Sequence, residues 1–211
     1  MRIDGAGFPF VAAFGVPAVV LVAGRRWRLA VPVGALAAFM AAFFRDPDRA
    51  CDGTPPGADE VLAPADGVVV VAGRPEPRVA PTGDWQQVSI FLSPLDVHMN
   101  RTPYGGRVVR TEYRPGRFAA AFTGVAATDN ERTEVWLAGD GGRTVVFRQV
   151  VGVLARRIVL RVGEGAQLRA GQRIGLMKFG SRMDVFVPRD CTVVVERGDR
   201  VRGGETVIAR W

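Results

Sequence analysis

The sequence predicts a mainly β fold, a flattened β-sandwich of two duplicated hairpin halves, preceded by an apolar helical hairpin. Three observations carry this. Residues 5–24 (GAGFPFVAAFGVPAVVLVAG) and 29–44 (LAVPVGALAAFMAAFF) contain no charge. From residue 60 onward, short Val/Ile/Phe runs recur between Gly, Pro and Asp turns, the pattern of strands rather than helices. Lastly, Gly165-x-x-Leu168-x-x-Gly171-x-x-Ile174 returns at the same spacing as Gly198-x-x-Val201-x-x-Gly204-x-x-Val207. Two similar strand–turn units with a pivot between them suit a sandwich of two halves.

The first uncharged stretch approaches the roughly 20 residues that a bilayer span needs, and the second falls short of it. A secretory signal is a poorer reading, because only Arg2 precedes the stretch, Asp4 offsets it and a second apolar run follows. Two full spans would place Arg25-Arg26-Trp27-Arg28 on the side opposite the C-terminal part. The positive-inside tendency would then export that part. A shallow hairpin that enters one leaflet and returns keeps everything on the cytoplasmic face of the cell membrane, and that hairpin or a single span is the expected arrangement. Residues 1–49 are thus expected to be a membrane-associating helical segment and 50–211 a β-rich catalytic domain, with Asp52–Asp59 (DGTPPGAD) as linker.

Expected strands cover Val68–Ala72, Val88–Leu92, Arg107–Tyr113, Glu134–Leu137, Thr144–Val151, Arg157–Val162, Met183–Val187, Thr192–Glu196 and Thr206–Ala209. Gly139-Asp140-Gly141-Gly142 is a hairpin turn signal. One short helix is expected around Arg117–Phe122.

The net charge of +7 and pI near 10.8 come almost wholly from arginine, since Lys178 is the only lysine. Such a surface suits nucleic acid, an anionic membrane or acidic ligands. The arginines are scattered between strand-like segments and no nucleic-acid motif or basic stripe interleaved with aromatics is visible, so nucleic acid is not the expected partner and a membrane surface is. One histidine and two distant cysteines, Cys51 and Cys191, argue against a structural metal site.

Three places could carry chemistry. Asp66 lies beside Gly67 in Ala63-Pro64-Ala65-Asp66-Gly67, where an acid can equally be closing a turn. The only histidine, His98, lies in the polar loop after an apolar strand, in Leu92-Ser93-Pro94-Leu95-Asp96-Val97-His98-Met99-Asn100-Arg101. Gly180-Ser181 lies at the pivot between the repeats, and glycine leaves its carbonyl open to a neighbouring hydroxyl. Acid, base and hydroxyl are the parts of an activated nucleophile. A serine hydrolase would want a G-x-S-x-G elbow and the helices of an α/β-hydrolase, and neither is present. The same parts can act on the chain itself. Ser181 Oγ attacks the Gly180 carbonyl, the resulting ester is eliminated, and dehydroalanine hydrolyses to a pyruvoyl group. That ketone can form a Schiff base with a substrate amine and withdraw electrons, as pyridoxal phosphate does.

These residues resemble the short form of the phosphatidylserine decarboxylase proenzymes. The matching motifs are FFRDPDR at 43–49, APADG at 63–67, FLSPLDVHMNRTPYGG at 91–106, Asn130-Glu131-Arg132, ARRI at 155–158 and GLMKFGSRMDVFVP at 175–188. The resemblance implies self-cleavage at Gly180-Ser181, giving a β-chain of 1–180 and an α-chain of 181–211 headed by a pyruvoyl cofactor derived from Ser181. It implies a lipid substrate, phosphatidylserine, decarboxylated to phosphatidylethanolamine, with catalytic roles for Ser181, His98 and Asp66 and no metal. Homo-oligomer formation is left open. Arg101 stands where longer bacterial members carry a second histidine, so His98 performs both self-cleavage and decarboxylation or another group takes one of them. A different class of reading comes from Met177-Lys178 between the glycine repeats, which resembles a biotinyl or lipoyl carrier, a barrel-sandwich modified on Lys178. Phe179 replaces the methionine usual after that lysine, and residues 43–130 would be unexplained.

Overall fold

The structure is a computed structural model describing residues 2–76, 78–121, 124–153, 157–178 and 181–211, with 124–125 described by backbone alone. The chain divides into two compact units, Met1–Asp48 and Arg49–Trp211.

In the first unit, α1 (Phe8–Ala23) and α2 (Trp27–Phe43) pack against each other across a turn in which Arg25 has a φ of 55°. The open end is closed by a two-stranded ladder of β1 (Arg2–Ile3) and β2 (Arg45–Asp46), and Phe10 stacks on Phe44 at 5.2 Å. The chain therefore leaves this unit at the end where it began, as the hairpin reading expects. The helix over Gly5–Ala23 is long and apolar enough to cross a membrane, while α2 is shorter. No residue of α1 is buried, and Val16, Val19 and Val20 are exposed on it. A helix apolar on every face needs a covering that water does not supply.

The second unit is mainly β, as expected. After a short α3 (Ala50–Gly53), the strands are β3 (Glu60–Leu62), β4 (Gly67–Gly73), β5 (Trp85–Leu92), β6 (Met99–Arg101), β7 (Gly106–Arg114), β8 (Arg132–Ala138), β9 (Thr144–Val151), β10 (Ile158–Leu160), β11 (Gln167–Leu168), β12 (Arg173–Met177), β13 (Ser181–Pro188), β14 (Thr192–Val193), β15 (Arg200–Val201) and β16 (Val207–Arg210). Eight form one antiparallel sheet in the order β11-β7-β8-β9-β13-β5-β4-β15. Two three-stranded sheets, β10-β12-β6 and β14-β16-β3, complete the unit.

The sequence repeat becomes a symmetry of this arrangement. Its two halves supply the outer edges of the large sheet, Leu168 pairing with Gly106 and Val201 with Gly67. Their second glycines, Gly171 and Gly204, both have a φ of 75° and converge on one side chain. A Cβ on either would lie 2.5 Å or 2.7 Å from Cys51 Sγ, so conformation and space both demand glycine. β9 and β13 form the middle pair, which places the expected pivot at the centre of the sheet.

Strand alternation sorts residues to two faces. Phe147, Met183, Val185, Ile90, Val135 and Leu137 belong to the main core on the inner face. The outer face of β13 carries Arg182, Asp184 and Phe186, also buried, with Val79, Ala127 and Val146 packed around Phe186.

One expected element is displaced. The short helix is α4 (Gly124–Asp129) rather than a helix from Arg117, and residue 122 lies outside the described residues. The cause is Asn130, whose amide binds both the N–H (2.9 Å) and the carbonyl (2.8 Å) of Ala119, while Arg117 bridges to Asn130 through the backbone. These bonds use backbone groups that a helix over 117–121 would need.

Candidate active site

The register of the large sheet decides where the three expected residues go. Ser181 is the first residue of β13 and is flanked directly by Leu92, the last of β5, and Val151, the last of β9. Neighbouring strands bring Val68 opposite Phe91, so Asp66, just ahead of β4, belongs to the same end of the sheet. The loop leaving Leu92 returns through His98 into β6. β4 and β13 run in the same direction, each antiparallel to β5, and both begin at this end. Ser181, Asp66 and His98, far apart in sequence, thus gather at one end of one sheet.

Ser181 is fully buried, and among the described residues its Oγ has no hydrogen-bond partner. Burying a hydroxyl without a partner costs about 1–3 kcal/mol. Its neighbour Gly180 lies outside the described residues. Alternation puts Ser181 on the inner face with Val151, Gln149 and Met183. Asn100 of β6 reaches that face, its Oδ1 accepting from Gln149 Nε2 at 2.8 Å, and Gln149 Oε1 in turn accepts from Thr133 Oγ1 at 2.9 Å. The strand that follows His98 is therefore pinned against the β9 strand that ends beside Ser181.

His98 is buried, with Nδ1 3.0 Å from the backbone carbonyl of Asp96. A carbonyl can only accept, so Nδ1 carries the proton and the lone pair of the neutral ring is on Nε2. The loop that offers this carbonyl is held by its own acid. Asp96 Oδ2 accepts from Ser93 N (2.8 Å) and Ser93 Oγ (2.7 Å), and Asp96 N donates to Ser93 O. Sequence reasoning missed Asp96, although Ser93-x-x-Asp96 after a strand has the S-x-x-D spacing at which the acid reaches back to the first residue's N–H, as in a capping box.

Asp66 is engaged elsewhere than the imidazole Nδ1. Its Oδ2 pairs with Arg49 Nη2 at 2.6 Å, and its Oδ1 accepts from Gly203 N–H at 2.8 Å, which ties the start of β4 to the loop after β15. Gly67 has to be glycine here, because a Cβ would sit 2.1 Å from the Phe91 carbonyl oxygen. Arg49, part of the FFRDPDR motif, was not singled out beforehand; its guanidinium also lies 3.6 Å from Glu205.

Arg101 is buried and holds Asp52 through both terminal nitrogens (2.9 and 3.0 Å), with Nη1 also on the Gly171 carbonyl at 2.8 Å. Bonding from Arg101 holds the Asp52 carboxyl at about 2, well below the usual carboxylate range. Asn130, which residue type alone suggests to be a solvated turn, is completely buried. Its Nδ2 donates to the Val151 carbonyl at 2.7 Å, beside Ser181. Met177, in the carrier-like dipeptide, belongs to the main core.

The family model for phosphatidylserine decarboxylase matches residues 36–209. The chain belongs to the phosphatidylserine decarboxylase family. Similar proteins run nearly the full length of the chain. That of Symbiobacterium thermophilum is 45% identical over 205 residues, covering 97% of this chain and 93% of its own. That of Paramagnetospirillum magneticum is 42% identical over 212 residues, covering 98% and 86%. That of Solibacter usitatus is 40% identical over 210 residues, covering 100% and 97%. Each bears the name phosphatidylserine decarboxylase proenzyme. The chain is accordingly an enzyme, a decarboxylase, and the carrier reading of Lys178 has no support among these relatives.

Proposed function

We propose that this decarboxylase converts phosphatidylserine to phosphatidylethanolamine and carbon dioxide after cutting itself between Gly180 and Ser181. The observation that carries the reading is the Ser181 hydroxyl, buried and without a hydrogen-bond partner among the described residues at the head of the central strand. A residue kept only for structure would be expected to satisfy such a group, whereas a hydroxyl consumed in maturation need not be satisfied. The names of the relatives, all proenzymes, point the same way.

Maturation balances without an outside oxidant. Ser181 Oγ bonds to the Gly180 carbonyl carbon, the C–N bond breaks, and the hydroxyl proton ends on the freed amine. Loss of the Ser181 α-proton then expels the Gly180 carboxylate from Cβ, leaving dehydroalanine. Its imine tautomer takes up water and releases ammonia, leaving residue 181 as pyruvoyl. This group supplies an electron-withdrawing ketone that takes up the primary amine of the serine headgroup.

The chain's own residues do the rest. With Nδ1 donating to the Asp96 carbonyl, His98 Nε2 is the ring's basic atom and the one that accepts and returns protons at this end of the sheet. Asp66, bound to Arg49 and Gly203, holds the β4–β15 edge in place beside it. Unit Met1–Asp48, with its apolar helices, associates with the cytoplasmic face of the membrane, where the lipid substrate resides.

Replacing Ser181 with Ala tests the reading on one gel and one assay. The variant is expected to remain a single chain and to lose decarboxylation, while the wild type appears as a large and a small chain. Activity retained in the unsplit variant would refute the mechanism. Lys178→Arg is expected to leave both splitting and activity in place, whereas a carrier modified on Lys178 would lose its function.

A further inference from the structure

On the outer face of the large sheet, turned away from Ser181, lies a cavity of about 330 Å³. It is lined by five arginines, Arg78, Arg110, Arg114, Arg132 and Arg148, against one glutamate, Glu134. The register places Arg114 directly opposite Arg132. A like-charged cross-strand pair opposes pairing unless something neutralises it.

Of the nearby acids, Asp184 pairs with Arg182 at 2.5 Å and keeps its buried Oδ2 without a hydrogen bond among the described residues, while Glu134 and Glu112 are engaged. Glu134 accepts from Arg148 Nε (2.5 Å) and from Trp136 Nε1 (2.6 Å). Glu112 accepts from Arg110 and Arg114, both at 2.5 Å. That leaves Arg132 and Arg78 without an ion pair to an acid among the described residues. Arg132 Nη1 donates to the carbonyls of Thr128 (2.7 Å) and Asn130 (3.3 Å), while its buried Nε donates to nothing described. Burial first, then repulsion from Arg148 and Arg114, lowers the Arg132 pKa against the opposing attraction of Glu134 and Asp184. Arg78 is held in the left-handed region, φ 63°, at the mouth of the cavity.

We propose that this cavity is an anion site for a phosphate group, separate from the reaction centre. Guanidinium donors converging from three strands and a loop suit a tetrahedral oxyanion with several acceptor oxygens. The phosphate can belong to a soluble phosphate ester or to the headgroup of an anionic lipid. The proposal stands whether or not Ser181 matures as proposed above.

The test uses the full chain in detergent, titrated calorimetrically with inorganic phosphate and with glycerol 3-phosphate at low ionic strength. The variant is Arg78→Gln combined with Arg114→Gln, both exposed positions away from the reaction centre. The control, Arg169→Gln combined with Arg197→Gln, removes the same charge elsewhere. Saturable one-to-one binding, weakened at least tenfold in the first variant and not in the control, is the expected result, with decarboxylation unchanged in both. In a second arm, flotation is compared on vesicles of phosphatidylcholine alone and with phosphatidic acid added. Extra retention by the acidic vesicles that disappears in the first variant identifies a lipid headgroup, and soluble binding without it identifies a free ester. No saturable binding and no variant-dependent retention would overturn the proposal. So would equal weakening in both variants, which would mark a diffuse surface charge.

Discussion

Ser181, His98 and Asp66 are each bounded by a different physical problem, and each was legible in the sequence to a different degree. Ser181 could be suspected from Gly-Ser chemistry alone, but its burial without a partner among the described residues appears only once β13 lies between β5 and β9. His98 could be suspected as the lone histidine after a strand, yet its tautomer is set by a backbone carbonyl that residue types do not announce. Asp66 could be read as a turn acid or as part of the site, and its partners, Arg49 and the Gly203 N–H, come from distant segments that residue types do not announce. Replacing His98 with Gln, which keeps an amide donor near the Asp96 carbonyl but no basic nitrogen, is expected to slow self-cleavage by two to four orders of magnitude. Time-resolved gels of freshly translated protein would measure it, and wild-type kinetics would remove His98 from the account. The cysteines predict the opposite of reactivity. Burial pushes the Cys191 thiol up to about 12 and raises that of Cys51. A maleimide reagent at pH 7 should leave Cys191 unmodified in the native chain and label it after unfolding.

Strands were the most legible elements, because Val/Ile/Phe runs between glycine turns admit few alternatives, and Thr144–Val151 was bounded as observed. The helix near residue 120 was misplaced because a side chain, Asn130, captures the backbone of Ala119, and such a long-range competitor has no local signature. Register was not legible at all, and register is what assembles the site. Gly67 makes this testable: Gly67→Ala drives a methyl into the Phe91 carbonyl and should destabilise the chain by about 1–3 kcal/mol or more, measured by urea denaturation. The α3 clamp predicts a pH dependence. Asp52 is depressed from 3.8 to about 2 in the folded chain, so its contribution is complete above pH 4 and is lost as pH falls through about 2. Because Asp52 is partly exposed, screening reduces that contribution to roughly 1 kcal/mol. Stability of Asp52→Asn should fall less steeply than wild type between pH 4 and pH 2; parallel curves would contradict the clamp.

At the scale of the molecule, the duplicated glycine repeat is the feature by which the sequence best foretold the architecture. It supplies both edges of the eight-stranded sheet and leaves the centre for the strand that Ser181 heads. The apolar hairpin was equally plain, since two charge-free stretches cannot both be hidden inside a unit of this size. Introducing Val16→Asp with Val20→Asp into the exposed face of α1 is expected to shift the chain from the membrane fraction to the soluble fraction on flotation. The central claim, that this decarboxylase makes its own cofactor from Ser181, is tested most directly by intact mass spectrometry of the purified wild-type chain. The account predicts two polypeptides, one ending at Gly180 and one spanning 181–211 with a pyruvoyl group in place of its first residue. A single active chain, or a 181–211 fragment beginning with an unmodified serine, would contradict it.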